Sequence, residues 1–317
     1  VVLIAAGFTG RPAEPPAGII VVANQESGSA TLVDLPSGTT MQIPVGEGPH
    51  EAAVTADGRL GIVTIYGART PGSQLAVIDL ASRRVVRTIE LGELRRPHGV
   101  VGLQGDPSRV VVTSEVAGRV LIVDVITGKV DTTIETKGRG SHMVALTADG
   151  RHAFTANVPD GSISEIDMVT KRLVRTVPVA SMTEGVAVTP DGGEVWVGSN
   201  DRGTVTVFDT RSGAVAATIT GFEMPYRLAV SPDGRRVAVC DPKANSVHVV
   251  DAATRRIVGA ISRLGSPRGV TIARDNRTAF ITLGDDSAVV VVDLETRAIL
   301  SRHAVGASPD GVAFATR

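Results

Sequence analysis

From Gly18 to the C-terminus, short apolar runs of Val, Ile, Ala and Thr alternate with polar turns. The runs are four to seven residues long, as in "IIVVAN", "GVAVT", "TVTVFD" and "AVAATIT". Such β-branched runs closed by Asp-Gly or Ser/Thr turns predict strands in hairpins and leave no stretch with a helical period. The runs also recur in register. "GEGPHEAAVTADG" from Gly46 is echoed by "RRPHGVVGLQGDP" from Arg95 and "GRGSHMVALTADG" from Gly138. Four further copies begin at Met182, Met224, Ser266 and Ser308.

One position of the repeat is held in turn by His50, His98, His142, Glu184, Tyr226, Arg268 and Asp310, at intervals of 48, 44, 42, 42, 42 and 42 residues. A period near 42 with four strands per copy is the signature of a propeller blade. The last copy stops after its inner strand, whereas the chain between Ile19 and Val45 supplies three strands with no inner partner. The expected fold is therefore all-β: a seven-bladed β-propeller with four antiparallel strands per blade. Pairing of the C-terminal inner strand with the three N-terminal strands closes the ring and leaves no open sheet edge at the seam. Residues 18–317 form the propeller on this reading, and residues 1–17 form a tail.

Two features repeat in every blade and are expected to be scaffold. Third strands end in Asp34, Asp79, Asp124, Asp167, Asp209, Asp251 and Asp293, each with Ser or Thr three residues on, a pattern that closes a turn by side-chain to backbone bonding. The Asp-Gly pairs at 57–58, 149–150, 191–192 and 233–234 set the hairpins.

Composition narrows the function. The 317 residues carry a formal net charge of -1, with one Trp, two Tyr and six Phe, so neither a basic field nor a stacking platform for nucleic acid is expected. Cys240 is the single cysteine, which excludes an intramolecular disulfide and Cys-rich metal sites. The opening "VVLIAAGFTG" and the spacer "RPAEPPAG" read as the back of a signal-peptide apolar region, too short to span a bilayer, and predict a periplasmic or secreted protein. Walker, G-x-S-x-G, H-E-x-x-H, C-x-x-C-H and Rossmann patterns are absent from the sequence.

On its "SPDG" and "TPDG" turns, its second strands "VVAN" and "FTAN" and its period, the chain resembles the YVTN or YncE-like seven-bladed propellers over about residues 18–317. That resemblance implies the fold. It implies no single activity, because such propellers include binding proteins, cofactor carriers and enzymes.

The variable position marks the site. Inner strands start on one rim of the channel, so His50, His98 and His142 on consecutive blades are expected to converge there as ligands of a divalent metal, zinc, iron or manganese. Glu51, Glu115 and Glu184 are the candidate general bases, metal-bound or orienting carboxylates. Tyr226, Arg227 and Arg268, with Asn157 and Asn200, are expected to bind an anionic small molecule from the opposite half of the rim. The structural alternatives are that the histidines cap the turns into the inner strands, and that the arginines pair with Asp241, Asp285 or Asp310.

Three functions follow from this reading: a monomeric binding protein for a small ligand, with or without a metal; a metal-dependent lyase or hydrolase; and a protein-interaction scaffold. The rim looks like that of virginiamycin B lyase and of the carotenoid-cleaving oxygenases. The oxygenase pattern has a fourth axial histidine where this chain has Glu184.

Overall fold

The computed structural model describes residues 14–35 and 37–317; most of the expected N-terminal tail lies outside them. Among the described residues there are twenty-eight strands and no helix, hence no helix long and apolar enough to cross a membrane. The strands form seven four-stranded antiparallel sheets. The chain is a seven-bladed β-propeller.

Six blades are built from consecutive strands, and we number them 1 to 6 from the inner strand Pro49–Val54. Blade 7 joins the chain ends. Its inner strand, Pro309–Thr316, pairs with Gly18–Asn24 in a register that sets Val312 against Val22 and Phe314 against Ile20. Apolar side chains from adjacent blades interlock into seven clusters, such as the one that joins Val21 and Ala313 of blade 7 to Ala52 and Val63 of blade 1. Burying both faces of every sheet explains why the second and third strands read as continuous apolar runs.

The repeated aspartates do what turn chemistry requires. Asp124 accepts the backbone N–H groups of Ile126 and Thr127, Asp167 those of Val169 and Thr170, and Asp251 that of Thr254. In the hairpins, Thr55, Thr147, Thr189 and Ser231 donate hydroxyls to Asp57, Asp149, Asp191 and Asp233. The glycine after each of these aspartates has a φ between 68° and 73°, which favours a residue without Cβ.

The variable position is a bulge. In blade 1, Pro49 pairs with Ile65 and Ala52 with Val63, so His50 and Glu51 together face one residue, Thr64. The same slip recurs in blades 2, 3, 4, 6 and 7. In blade 5 the inner strand is reduced to Leu228–Val230, and Tyr226 and Arg227 precede it. A threonine on the second strand catches the displaced backbone: Thr64, Thr113 and Thr282 accept the N–H groups of Glu51, Gly99 and Gly269. A bulge re-aims side chains at a sheet end, and this one turns two residues per blade toward the hub at one end of the channel.

Candidate functional site

The bulges of blades 1, 2 and 3 bring the three histidines together as a stack. The His98 ring lies 4.2 Å from that of His50 and 3.5 Å from that of His142. The edge of Tyr66 packs against His50 and His98 at 5.1 and 5.4 Å, and the Arg96 guanidinium lies 4.4 Å over the Tyr66 ring.

The three imidazoles differ chemically. His142 is bracketed by carboxylates, with Nε2 2.7 Å from Glu184 and Nδ1 3.5 Å from Glu115. Burial disfavours its charge, but Glu184 and Glu115 outweigh that and push its pKa up to about 9. His142 is thus a cation at neutral pH with no lone pair to offer. His98 is fully buried, and neither ring nitrogen has a hydrogen-bond partner. Burial, reinforced by the neighbouring His142 and His50, holds its pKa well below the usual histidine value and keeps it neutral. His50 is also neutral, its pKa lowered to about 4 mainly by burial. Its Nδ1 lies 3.3 Å from Asp310 and 3.9 Å from Glu51.

The expected set of metal donors therefore changes by one member. His50, Glu51 and His98 offer one donor atom each, all within 4.8 Å of one another. Glu51 takes the place expected for His142, whose nitrogens are committed to carboxylates.

Arg227 departs most from expectation. It lies on blade 5, yet its Nε and Nη2 donate across the hub to Glu51 of blade 1 at 3.1 and 2.9 Å. Its Nη1 donates to Glu184 of blade 4 at 2.6 Å. The guanidinium is a buried internal counter-ion with three of its five N–H groups donated to the two carboxylates. A rim divided into a histidine half and an arginine half is not what forms. Around the histidines, the carboxyl groups of Glu51, Glu115, Glu184 and Asp310 are met by Arg227 and His142, with Arg96 over Tyr66 beside Glu115. The neutral His50 and His98 beside Glu51 are donors of the kind that suits a cation.

The other expected residues sort as follows. Burial pushes the Glu51 pKa up to about 7 against the opposing pull of Arg227. Burial also raises that of Glu184, but His142 and Arg227 outweigh it and hold this carboxylate well below its usual range. Glu115 accepts a 2.7 Å hydrogen bond from Tyr66. Tyr226 presents its ring to Arg227 at 4.2 Å. Asn200 approaches Glu184 at 3.5 Å.

Asn157 is fully buried, with its amide donating to Ser162 and Ser164, and it ties strands together. Arg268 donates to Ser308 and stays outside the cluster. Asp310 and Arg96 were not anticipated as site residues. Asp310 carried a legible signal, since it holds the same repeat position as the histidines. Arg96 sits two residues before that position and carried none.

Comparison with known proteins adds a partial family likeness and a whole-chain fold likeness. Residues 105–253 match the family described as cytochrome D1 heme domain. That segment covers less than half of the chain and starts after His50, Glu51 and His98. No curated protein matches. Among solved structures, Kuenenia stuttgartiensis hydrazine synthase superposes with a TM-score of 0.77, over 92% of this chain and 99% of that one, at 18% identity. At that identity the likeness concerns the fold.

Proposed function

We propose that this propeller binds a divalent transition-metal ion through His50, Glu51 and His98 at one end of its central channel. The observation that carries this reading is His98, an imidazole with no exposed surface and no partner for either nitrogen. An orphaned buried polar group is costly, and a neutral imidazole beside a second imidazole and a carboxylate is a metal-donor arrangement. Asp310 would orient the His50 ring, while Arg227 would hold the Glu51 carboxylate in place. The apolar N-terminal stretch supports placing this activity outside the cytoplasm.

The likeness to cytochrome D1 heme domains raises a tetrapyrrole as an alternative occupant. The residues do not fit one: His98 is enclosed between two other rings, and both nitrogens of His142 are committed to carboxylates.

When bound, the ion supplies Lewis acidity. Around it the chain's own residues can hold and move a proton: Tyr66 donates to Glu115, and Glu115 faces His142. This relay favours a metal-assisted lyase or hydrolase as the second reading.

The test is elemental analysis of protein purified without a polyhistidine tag, with calorimetric titration of zinc, manganese and ferrous ions into chelator-stripped protein. Stoichiometric binding that is lost in His98→Ala supports the site. Failure of all three ions to bind the stripped protein overturns it.

A further inference from the structure

The hub channel below the cluster has a cavity of about 390 Å³ that ends on Glu51 and Arg227. The inner strands run from the histidine end to the Asp-Gly hairpins, so the cavity opens on the hairpin face. Its wall includes Val54, Leu146, Val188, Val230 and Phe314, all partly exposed. Among the described residues that line it, charged side chains are confined to Glu51 and Arg227 at the closed end. The volume lies in the range of small-molecule sites, which pair apolar walls with a few convergent polar groups.

At the opposite end the donors are shielded, while Tyr66, Glu115 and His142 beside them keep partial exposure. His98 and Arg227 are 0% and 4% exposed, and His50, Glu51 and Glu184 are 6% or 7% exposed. The channel gives a route to the cluster from the hairpin face, ending on Glu51 and Arg227. The wall carries no charged side chain along its length, so the body of an occupant is uncharged there; at the end Arg227 is already neutralised by two carboxylates, which leaves the polar end of the occupant to the ion. Each inner strand is the terminal strand of its sheet, so its free backbone edge adds hydrogen-bonding groups to the apolar wall.

We infer that the hub channel is a binding pocket for a compact organic molecule with an uncharged, apolar body and one Lewis-basic end, the basic end meeting the metal beside Glu51. This rests on the metal reading for its inner end. The pocket itself rests on the cavity.

The probe is the series imidazole, 1-methylimidazole and 1-butylimidazole, titrated calorimetrically at a pH where the probes are neutral, into zinc-loaded and zinc-free protein. Affinity is expected to rise by about fourfold for each added methylene, the gain for burying that group. Ala229→Trp, which fills the channel from a half-exposed wall position, is expected to abolish the dependence on chain length without changing zinc content. Should that variant fail to fold, Ala145→Leu makes a smaller intrusion and is expected to lower 1-butylimidazole affinity at least fivefold while leaving imidazole unaffected. Affinities independent of alkyl length, or unchanged in the filled variant, overturn the pocket. If zinc does not bind, the metal reading falls. The pocket then stands or falls on whether 1-butylimidazole binds zinc-free protein more tightly than imidazole does.

Discussion

At the scale of single residues, the two most informative side chains should respond to different extents. Replacing Arg227 by Met leaves Glu51 buried without its counter-ion and Glu184 with His142 alone, and breaking such a network costs about 3–5 kcal/mol; urea unfolding should show it, with a Lys replacement recovering part. His98→Ala removes a ring that has no hydrogen bond to lose, so the metal-free protein should lose about 1–2 kcal/mol, the cavity cost being offset by the removal of two orphaned nitrogens. A loss as large as that of Arg227→Met would mean that His98 holds the stack together structurally. The histidines were legible in the sequence because they share one repeat position. Their different states were not, because charge on His142 and neutrality of His98 depend on which carboxylates arrive from other blades. The span from Arg227 to Glu51, 176 residues apart, has no local signature.

At the scale of elements, the position after the bulge residue decides how closely blades approach. Gly99, Gly185, Gly269 and Gly311 occupy it in four blades, and Glu51, Met143 and Arg227 in the other three. A Cβ on Gly99 would lie 2.7 Å from the Val144 nitrogen, and one on Gly185 2.5 Å from the Tyr226 carbonyl oxygen. Gly99→Ala should thus destabilise by about 2–3 kcal/mol through overpacking against backbone. Gly92→Ala meets nothing within 4 Å and strains only a φ of 62°, for about 1 kcal/mol; thermal unfolding of the pair separates the two causes.

The turn aspartates give the acid limb. Backbone N–H bonds, that of Thr170 foremost, hold the Asp167 carboxylate below its ordinary value of 3.8. Its stabilisation is complete above that value and disappears as pH falls through the lower folded value. Asp167→Asn should therefore destabilise at neutral pH and flatten the fall in stability below about pH 4, as read from denaturant midpoints across pH. Strands, hairpins and this turn were readable because each follows from neighbours in sequence. The bulge was visible only as a position of varying identity, since its two-against-one pairing requires the partner strand.

At the scale of the whole molecule, closure is the property on which both fold and site depend. Blade 7 has its inner strand from one chain end and three strands from the other, and Asp310 of that strand faces His50 of blade 1. Removing residues 309–317 should leave the edge of Gly18–Asn24 unpaired and produce a protein that associates through it, seen as higher oligomers in sizing chromatography. The seam itself was evident from the incomplete first and last copies.

The same arrangement orders events during synthesis. Synthesis delivers His50, Glu51 and His98 first, Arg227 129 residues after His98, and Asp310 a further 83 residues on. Until then the proposed donors lack the groups that would orient them, so on the metal reading an ion captured by a growing chain would be held loosely and exchange. Tight retention would wait for Arg227 and Asp310 to arrive, which would make occupancy a mark of a closed ring.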